Sequence, residues 1–285
     1  MKLVSSLSFA AWMLAAVEGG SSNVYTVPVS NLIPGNNLTS GAIETSLQDT
    51  NDGSNYPLSK TSIVPSGTKT YVVGLRSTVG GNNFCSATLI TPRHLLVGSN
   101  SIRDNIRWAS IGSHYANGTQ DGEQIKVVAI LNHPNSSLGG FTDDFTILVL
   151  EKTSSFKPVA LAAADDSDVK DGEWAAKMGW DDTGGEDTMA YELTREDVQL
   201  MSNANCLKET KVDDSMLCSR GAPNVTSCTG DYGGPVVVER PSGDVLVGIS
   251  SWGGDCGKPG YPSIYSRVSS ARPWIESVAT GVCFH

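Results

Sequence analysis

The sequence predicts an all-β fold, a barrel or a sandwich, that ends in one α-helix. Two observations predict it. Short runs rich in β-branched and aromatic residues recur from Tyr71 onward, and turn-forming residues separate them. Helical spacing of apolar residues occurs only near the end, where Trp274, Ile275 and Val278 fall on one face of the segment from Ser269 to Ala279. With 39% hydrophobic residues among 285, the chain can bury a sizeable core.

The predicted strands follow one another along the chain with turns between them. Six lie between residues 71 and 151, and three lie between residues 174 and 252. Such regular spacing of short strands is typical of barrels and sandwiches. In order, the runs are YVVGL, CSATLI, HLLVGS, RWASIG, QIKVVAIL, FTILVLE, WAAKMGW, PVVVER and VLVGISSW.

The N-terminal segment predicts secretion. Residues 1–20 begin with one basic residue, Lys2, and continue as an apolar stretch to about Val17, which is typical of a signal peptide. A membrane anchor fits less well, because the stretch is shorter than the roughly 20 residues that span a bilayer. Residues 21–60 are rich in Asn, Ser, Thr, Gly and Pro and predict a flexible leader or pro-segment before a domain at 61–285.

The charge of the chain limits its partners. The formal net charge of -10 gives no basic footprint for nucleic acid or for anionic lipid, and it favours a basic or neutral partner. Neither a CxxC pair nor a Cys/His cluster occurs, so we predict neither a metal nor a cofactor.

The cysteines and sequons fit an oxidising, extracellular setting. The cysteine count is even, as in chains that close disulfides, and the cysteines are Cys85, Cys206, Cys218, Cys228, Cys256 and Cys283. Candidate N-glycosylation sites are Asn37, Asn117, Asn135 and Asn224.

Six motifs arrive in one order and together carry a family resemblance: CSATLITPRHLLV, NHPN with DDFTILVLE, MGW, MLC, SCTGDYGGPVV and GISSWGGDC. From about Ile63 to Ala279 the chain resembles the trypsin and chymotrypsin family of serine proteases. The resemblance implies two packed six-stranded antiparallel barrels, an active site in the cleft between them, and a C-terminal helix.

The resemblance also implies a degenerate catalytic triad. Active members carry Gly-Asp-Ser-Gly-Gly-Pro where this chain has GDYGGP, so Tyr232 stands at the position of the nucleophilic serine. VGSNS matches the family's Thr-Ala-Ala-His-Cys and puts Asn100 at the histidine position, while DDFTILVLE puts Asp144 at the aspartate position. An amide cannot accept and return a proton near neutral pH, so we expect no protease activity.

Asp144 and the four histidines are expected to have structural roles, without a part in catalysis. We expect Asp144 to be a buried acceptor of hydrogen bonds from the Asn100 amide and the Ser251 hydroxyl. None of the four histidines falls where the family geometry would bring a base to Tyr232, so each is expected to be a surface or packing residue; they are His94, His114, His133 and His285. An enzyme that works by other residues stays open as an alternative.

The family match extends to disulfides and to activation. It implies bonds from Cys206 to Cys218 and from Cys228 to Cys256. Ser101 stands where the usual partner of Cys85 would be, so Cys85 and Cys283 stay unassigned, either bonded to each other or to a second chain. Proteolytic activation before Ile63-Val64 is not expected, because Pro65 and Ser66 replace the family's glycines and no basic residue immediately precedes Ile63.

The resemblance locates candidate binding residues in the cleft. Tyr232 is either a plug that fills the cleft or an aromatic anchor for a partner. Thr226 lies at the base of the old specificity pocket and gives it no charge, and Gly253 lies on its wall. Trp252 is the fourth candidate binding residue of the cleft.

Among non-catalytic relatives, the chain resembles the secreted glucanase inhibitor proteins of plant-pathogenic water moulds. That resemblance implies a protein partner, a host endo-β-1,3-glucanase. A carbohydrate-binding module is the third alternative, and it is weakened because Trp180, Trp252 and Trp274 match core positions of the family.

Overall fold

The computed structural model describes residues 61–102, 105–136, 140–181, 189–220, 232–253 and 261–279. The predicted signal peptide at residues 1–20 and the predicted leader at residues 21–60 lie outside these residues. The strands are β1 Thr61–Ile63, β2 Val72–Arg76, β3 Cys85–Thr91, β4 His94–Val97, β5 Trp108–Ile111, β6 Glu123–Asn132, β7 Thr146–Leu150, β8 Ala160–Leu161, β9 Trp174–Asp181, β10 Met189–Met201, β11 Met216–Ser219, β12 Pro235–Arg240, β13 Gly243–Gly253 and β14 Ser263–Arg267. The helices are a 3-10 turn at Ser99–Ser101, α1 at Asn203–Cys206 and α2 at Val268–Ala279.

The first six long strands close into an antiparallel barrel. Its order is β2-β3-β4-β7-β6-β5, and β5 pairs back onto β2. Val73 on β2 lies opposite both Ala87 on β3 and Ile111 on β5, and all three side chains are fully buried. Closure leaves this sheet without an open edge, which is how small barrels pair every strand.

The second half of the chain closes a second six-stranded ring. Its order is β9-β10-β11-β14-β13-β12, and β12 pairs back onto β9. Two short strands join it from outside, because β1 pairs with β10 and β8 runs parallel to β13. The predicted all-β fold with two six-stranded barrels and a C-terminal helix is therefore confirmed.

All nine predicted runs overlap observed strands, but the sequence analysis missed the short strands β1 and β8 as well as β10, β11 and β14. The 13-residue β10 was missed because a charged residue occupies one of its inward positions. Glu196 is 4% exposed and pairs with Lys177 on the neighbouring β9 at 2.8 Å. An ion pair thus replaces the apolar residue that a strand pattern would show at this position.

One hydrophobic cluster extends through both barrels and includes Ile275 of α2. Trp180 is fully buried in it, and its indole N–H donates to the His114 carbonyl at 3.1 Å. Trp274 and Trp252 are only partly buried and pack at the margins of the clusters. Within the described ranges, no helix is long and apolar enough to cross a membrane.

The segment before the first barrel is built into the second. Ile63 ends β1, opposite Thr194, and its side chain is 56% exposed. The next residue, Val64, is 1% exposed, and its N–H donates to the Leu193 carbonyl at 2.8 Å. The uncut chain is therefore anchored through main-chain pairing at the point where the family resemblance would place an activation cut.

Candidate functional site

Asn100 is positioned by a single 3-10 turn that follows β4. The turn begins after Gly98, which stays extended with φ -73° and ψ 139°. Ser99 donates its hydroxyl to the Phe145 carbonyl at 2.8 Å and so ties the turn to the neighbouring β7. A β-carbon at Gly98 would lie 3.1 Å from Oδ2 of Asp144, so a glycine lets the turn approach the carboxylate closely.

Asp144 is a buried carboxylate with assigned donors on both oxygens. It is 1% exposed, and Oδ1 accepts from the backbone N–H of Asn100 at 2.9 Å. Oδ2 accepts from the hydroxyl of Ser251 on β13, the hydrogen bond that the sequence analysis expects. Burial raises the pKa of the Asp144 carboxyl, and the hydrogen bonds from Ser251 and Asn100 act in the opposite direction.

The side chain of Asn100 is held by the loop before Asp144. Its Nδ2 donates to the Gly140 carbonyl at 2.7 Å, and the residue is only 8% exposed. An amide in this place can donate and accept hydrogen bonds, but it has no basic nitrogen to take a proton from a nucleophile. The pair Asn100–Asp144 is thus arranged as a structural lock between the two loops.

Tyr232 sits on a turn that contacts both barrels. Its carbonyl accepts from the Ser86 N–H on β3 at 3.2 Å, while the Gly233 N–H donates to the Ser250 carbonyl on β13 at 2.8 Å. Gly233 has φ +85°, and a β-carbon there would lie 2.3 Å from the Ser86 carbonyl oxygen. The turn therefore requires glycine at this position, for both its conformation and its packing.

The Tyr232 turn also meets the Asn100 turn. A β-carbon on Gly233 would lie 3.2 Å from Oγ of Ser101, the residue that follows Asn100. The structure thus brings Asn100, Asp144 and Tyr232 into one region at the junction of the barrels. Tyr232 is 47% exposed, so part of its ring is available at the surface.

A pair of stacked aromatic side chains, here called the aromatic wall, includes a residue of the loop that also binds the Asn100 side chain. Trp252 on β13 stacks on Phe141 with ring centroids 4.9 Å apart and an interplanar angle of 30°. Phe141 follows Gly140, the acceptor for Asn100, so the wall and the lock share one loop. Sequence analysis named Trp252 but missed Phe141, although an aromatic residue three positions before Asp144 was a visible signal. Gly253 ends β13 opposite Ser263, and Thr226 lies outside the described residues.

The contacts of the three described histidines are with residues other than Asn100, Asp144 and Tyr232. His94 bonds through Nδ1 to the Thr91 hydroxyl at 2.8 Å. His114 bonds through Nε2 to Glu192 at 2.9 Å, and His133 packs edge-on against Trp274 with centroids 4.8 Å apart. Burial lowers the pKa of both His94 and His133. His285 lies outside the described ranges.

The cysteines divide between described and undescribed residues. Cys206 and Cys218 form a disulfide between α1 and β11, the pairing that the family resemblance implies. Cys85 is buried, and its sulfur lies 3.8 Å from the carbonyl oxygen of Ser101, so these two positions are neighbours in space. The remaining cysteines lie outside the described residues; they are Cys228, Cys256 and Cys283.

Two of the four sequons can be located. Asn117 is half-buried in a loop, and its Oδ1 accepts from the Thr119 hydroxyl at 2.7 Å. Asn135 is exposed, and its Nδ2 donates to Asp143 at 3.4 Å. Asn37 and Asn224 lie outside the described residues. In the part of the chain that is described, no group of His, Cys, Asp or Glu side chains could hold a metal ion.

Comparison with known proteins agrees with this architecture. The sequence model of the trypsin family matches residues 60–275, which contain both barrels. That match covers well over half of the chain and defines its class.

Individual relatives narrow the class to one group. Glucanase inhibitor protein 3 of Phytophthora infestans is 49% identical over 225 residues, which cover 77% of this chain and 87% of that protein. Glucanase inhibitor protein 1 of the same organism is 45% identical over 75% of this chain and 85% of its own length. Glucanase inhibitor protein 2 of Phytophthora sojae is 41% identical over 76% of this chain and 77% of its own. The chain therefore belongs to the trypsin family, in the group of trypsin-like protease homologues that includes these inhibitor proteins.

Proposed function

We propose that the protein is a secreted, non-catalytic protease homologue that binds and inhibits a host endo-β-1,3-glucanase, and so limits the release of glucan fragments that elicit plant defence. The observation that carries the proposal is the lock between Asn100 and Asp144. The carboxylate at the position that would orient a catalytic imidazole accepts the main-chain N–H of Asn100, and the side chain at the position of that imidazole is an amide without a basic nitrogen.

The absence of chemistry at this site is supported by two independent features. Proton transfer needs a base of suitable pKa within hydrogen-bond reach of the nucleophile, and Asn100 cannot serve as one. Tyr232 carries a phenol in place of a short hydroxyl, so its oxygen lies several ångströms farther from the backbone than a serine oxygen would. Each feature alone removes one of the two steps on which acyl transfer depends.

The same residues favour a binding role. Tyr232 is 47% exposed on a turn whose backbone is hydrogen-bonded to both barrels, so its ring is accessible to a partner and the backbone that carries it is already ordered. The Trp252–Phe141 stack adds a second aromatic surface on the neighbouring loop. Aromatic side chains of this kind dominate the energetics of protein interfaces. The names of the relatives, glucanase inhibitor proteins, supply the class of partner.

Charge supports a basic partner. The formal net charge of -10 would steer a basic glucanase toward the protein and suppress association with nucleic acid or anionic membranes. Association should therefore be faster at low ionic strength than at high ionic strength, while the dissociation rate should change less.

The decisive comparison is between an enzyme partner and its polysaccharide. The purified mature protein would be mixed separately with a plant endo-β-1,3-glucanase and with laminarin, and binding would be measured by calorimetry. We expect a one-to-one complex with the glucanase and no binding to laminarin. Binding to laminarin alone would favour the carbohydrate-binding alternative and would overturn the proposal.

A matched pair of variants tests the surface. Tyr232→Ala should weaken the complex by at least tenfold, as expected for a central aromatic anchor. Trp174→Ala is the control, because Trp174 is also an exposed aromatic residue, at 44%. Its neighbour Glu173 accepts a hydrogen bond from Arg240, the last residue of β12. The first residue of β12 follows the Tyr232 turn, and the strand runs roughly 17 Å from there to Arg240. An equal loss in both variants would show that the contact lies elsewhere.

A further inference from the structure

A buried arginine in the first barrel makes no ion pair in the described part of the chain. Arg76 ends β2 and is 0% exposed. Its Nη1 donates to two backbone carbonyls, those of Val79 at 2.6 Å and Gly81 at 3.4 Å. Nε and Nη2 have no hydrogen-bond partner among the described residues. A guanidinium keeps its charge in proteins, so a full positive charge is buried here against carbonyl dipoles alone.

A second buried donor lies on the same side of the sheet. Gly74 and Arg76 are two residues apart on β2, so they face the same way. Asn83 covers Gly74 so closely that a β-carbon there would lie 2.0 Å from Nδ2 of Asn83. Asn83 is 1% exposed, and its Nδ2 also has no hydrogen-bond partner. Three buried N–H-bearing nitrogens, two from Arg76 and one from Asn83, thus lie on one side of β2 without a hydrogen-bond partner among the described residues.

The loop between β5 and β6, which contains Gly118, packs against the polar layer formed by Arg76, Asn83 and Ser110. Ser110 lies opposite Gly74 on β5, and its hydroxyl donates to Oδ1 of Asn83 at 3.5 Å. A β-carbon at Gly118 would lie 1.9 Å from Oγ of Ser110 and 3.5 Å from Cζ of Arg76. The backbone at Gly118 therefore approaches both side chains.

We propose that Arg76 and Asn83 form an internal binding site for a small monovalent anion, with chloride as the ligand, beneath the loop that joins β2 to β3. Buried donors without acceptors are rare in folded proteins, because each one costs free energy unless it is satisfied. A buried water molecule would satisfy hydrogen bonds but would leave the guanidinium charge uncompensated. A bound anion would both accept the hydrogen bonds and compensate the charge. Burial lowers the pKa of Arg76, and no carboxylate among the described residues acts to raise it.

The site is connected to the cleft. Ser86 on β3 lies opposite Gly74, and its N–H donates to the Tyr232 carbonyl at 3.2 Å. The polar layer that contains Arg76 and Asn83 therefore continues to the turn that presents Tyr232. A bound anion would hold the β2–β3 loop in place on the same side of the first barrel.

The test uses the intact mature protein and halide salts at constant ionic strength. Thermal unfolding would be followed in sodium chloride, sodium bromide and sodium gluconate. We expect chloride and bromide to raise Tm saturably by roughly 2–4 °C over gluconate, since a ligand that binds only the folded state stabilises it. Crystals soaked in bromide should show an anomalous peak beside the Arg76 guanidinium and the Asn83 amide. No halide dependence together with a water molecule at that position would overturn the proposal.

Variants separate a specific site from a general salt effect. Asn83→Asp nearly preserves shape and supplies an internal carboxylate, so it should remove the halide dependence while the fold is retained. Arg76→Met should also remove it, and if that variant does not fold, Asn83→Asp alone decides. Arg93→Met is the control, because Arg93 is an exposed arginine that bonds the Leu150 carbonyl. Retained halide dependence in Asn83→Asp would contradict the site.

Discussion

The backbone N–H of Asn100 donates to Oδ1 of Asp144 at 2.9 Å, while the Asn100 side chain donates to the Gly140 carbonyl at 2.7 Å. These two hydrogen bonds tie a turn of the first barrel to the loop that carries the carboxylate. A residue that could act as a base would need a free lone pair directed at the nucleophile. In this protein the same position fastens two loops together, which suits a scaffold whose loops bind a partner.

The first prediction concerns catalysis. The mature protein should hydrolyse no peptide or ester substrate above background and should not react with a serine-directed fluorophosphonate. Tyr232→Ser should restore little activity, because loss of the base alone costs on the order of a million-fold in turnover. Labelling would be followed by intact mass.

Stoichiometric labelling of the unmodified protein would support the alternative of an enzyme with atypical residues. Protease-like turnover in Tyr232→Ser alone would show that Asn100 does not occupy the position of the base. Active trypsin treated in parallel is the positive control.

The second prediction concerns the buried carboxylate. Asp144→Ala should lower the free energy of unfolding by about 2–4 kcal/mol, because it leaves the Asn100 N–H and the Ser251 hydroxyl buried without their acceptor. Urea denaturation followed by tryptophan fluorescence would measure it. Asp214→Ala removes an exposed aspartate and should leave the urea midpoint nearly unchanged. Equal midpoints for Asp144→Ala and the unmodified protein would mean that the lock contributes nothing to stability.

The third prediction concerns pH. Burial acts to raise the pKa of Glu239, but hydrogen bonds from Lys69 and Arg195 outweigh it and hold the pKa below its ordinary value of 4.5. A group whose pKa is lowered in the folded state stabilises above its unfolded pKa, and that contribution is lost as pH falls through the folded pKa. Stability should therefore decline below about pH 4.5 in a manner that Glu239→Gln reduces.

Urea midpoints measured between pH 3 and pH 7 would test this slope. Glu151→Gln is the matched control, since Glu151 is exposed at the end of the first barrel. If Glu239→Gln and Glu151→Gln follow the same pH profile, the contacts from Lys69 and Arg195 do not stabilise the folded state.

The fourth prediction concerns the disulfide. Replacing Cys206 and Cys218 together with serine should lower stability by roughly 2–4 kcal/mol, because the unfolded chain gains freedom when the cross-link is removed. The bond packs in a small apolar cluster that also contacts Trp252, so tryptophan fluorescence should report the change. A non-reducing peptide map of the unmodified protein should contain the 206–218 bridge, and free thiols at both positions would contradict the structure.

The sequence predicted the architecture because its strands are apolar and its motifs occur in one order. Where a strand departs from that pattern the prediction failed, as for β10, whose inward Glu196 is neutralised by Lys177. Glu196 and Lys177 are far apart in sequence, so no local sequence pattern could reveal the ion pair. Arg76 was missed for a related reason, since burial of a charged residue depends on loops that close over it from elsewhere in the chain.

The candidate site was predicted in part. Sequence analysis named Asn100, Asp144 and Tyr232, and the structure brings them together, because each lies beside a motif that fixes its strand or turn. It expected the Asn100 amide to donate to Asp144 and could not give Gly140 as an acceptor or the exposure of Tyr232, since both depend on contacts made after the two barrels pack. The Phe141–Trp252 stack likewise joins residues more than a hundred positions apart.

The most direct test of the central proposal is a titration of a plant endo-β-1,3-glucanase. Increasing amounts of the purified mature protein would be added to a fixed amount of glucanase, and the release of reducing ends from laminarin would be followed. We predict that hydrolysis falls with added protein and reaches its minimum near one equivalent, and that Tyr232→Ala shifts the curve to higher concentration. Unchanged hydrolysis at a large excess of protein, across several plant glucanases, would contradict the proposed inhibition.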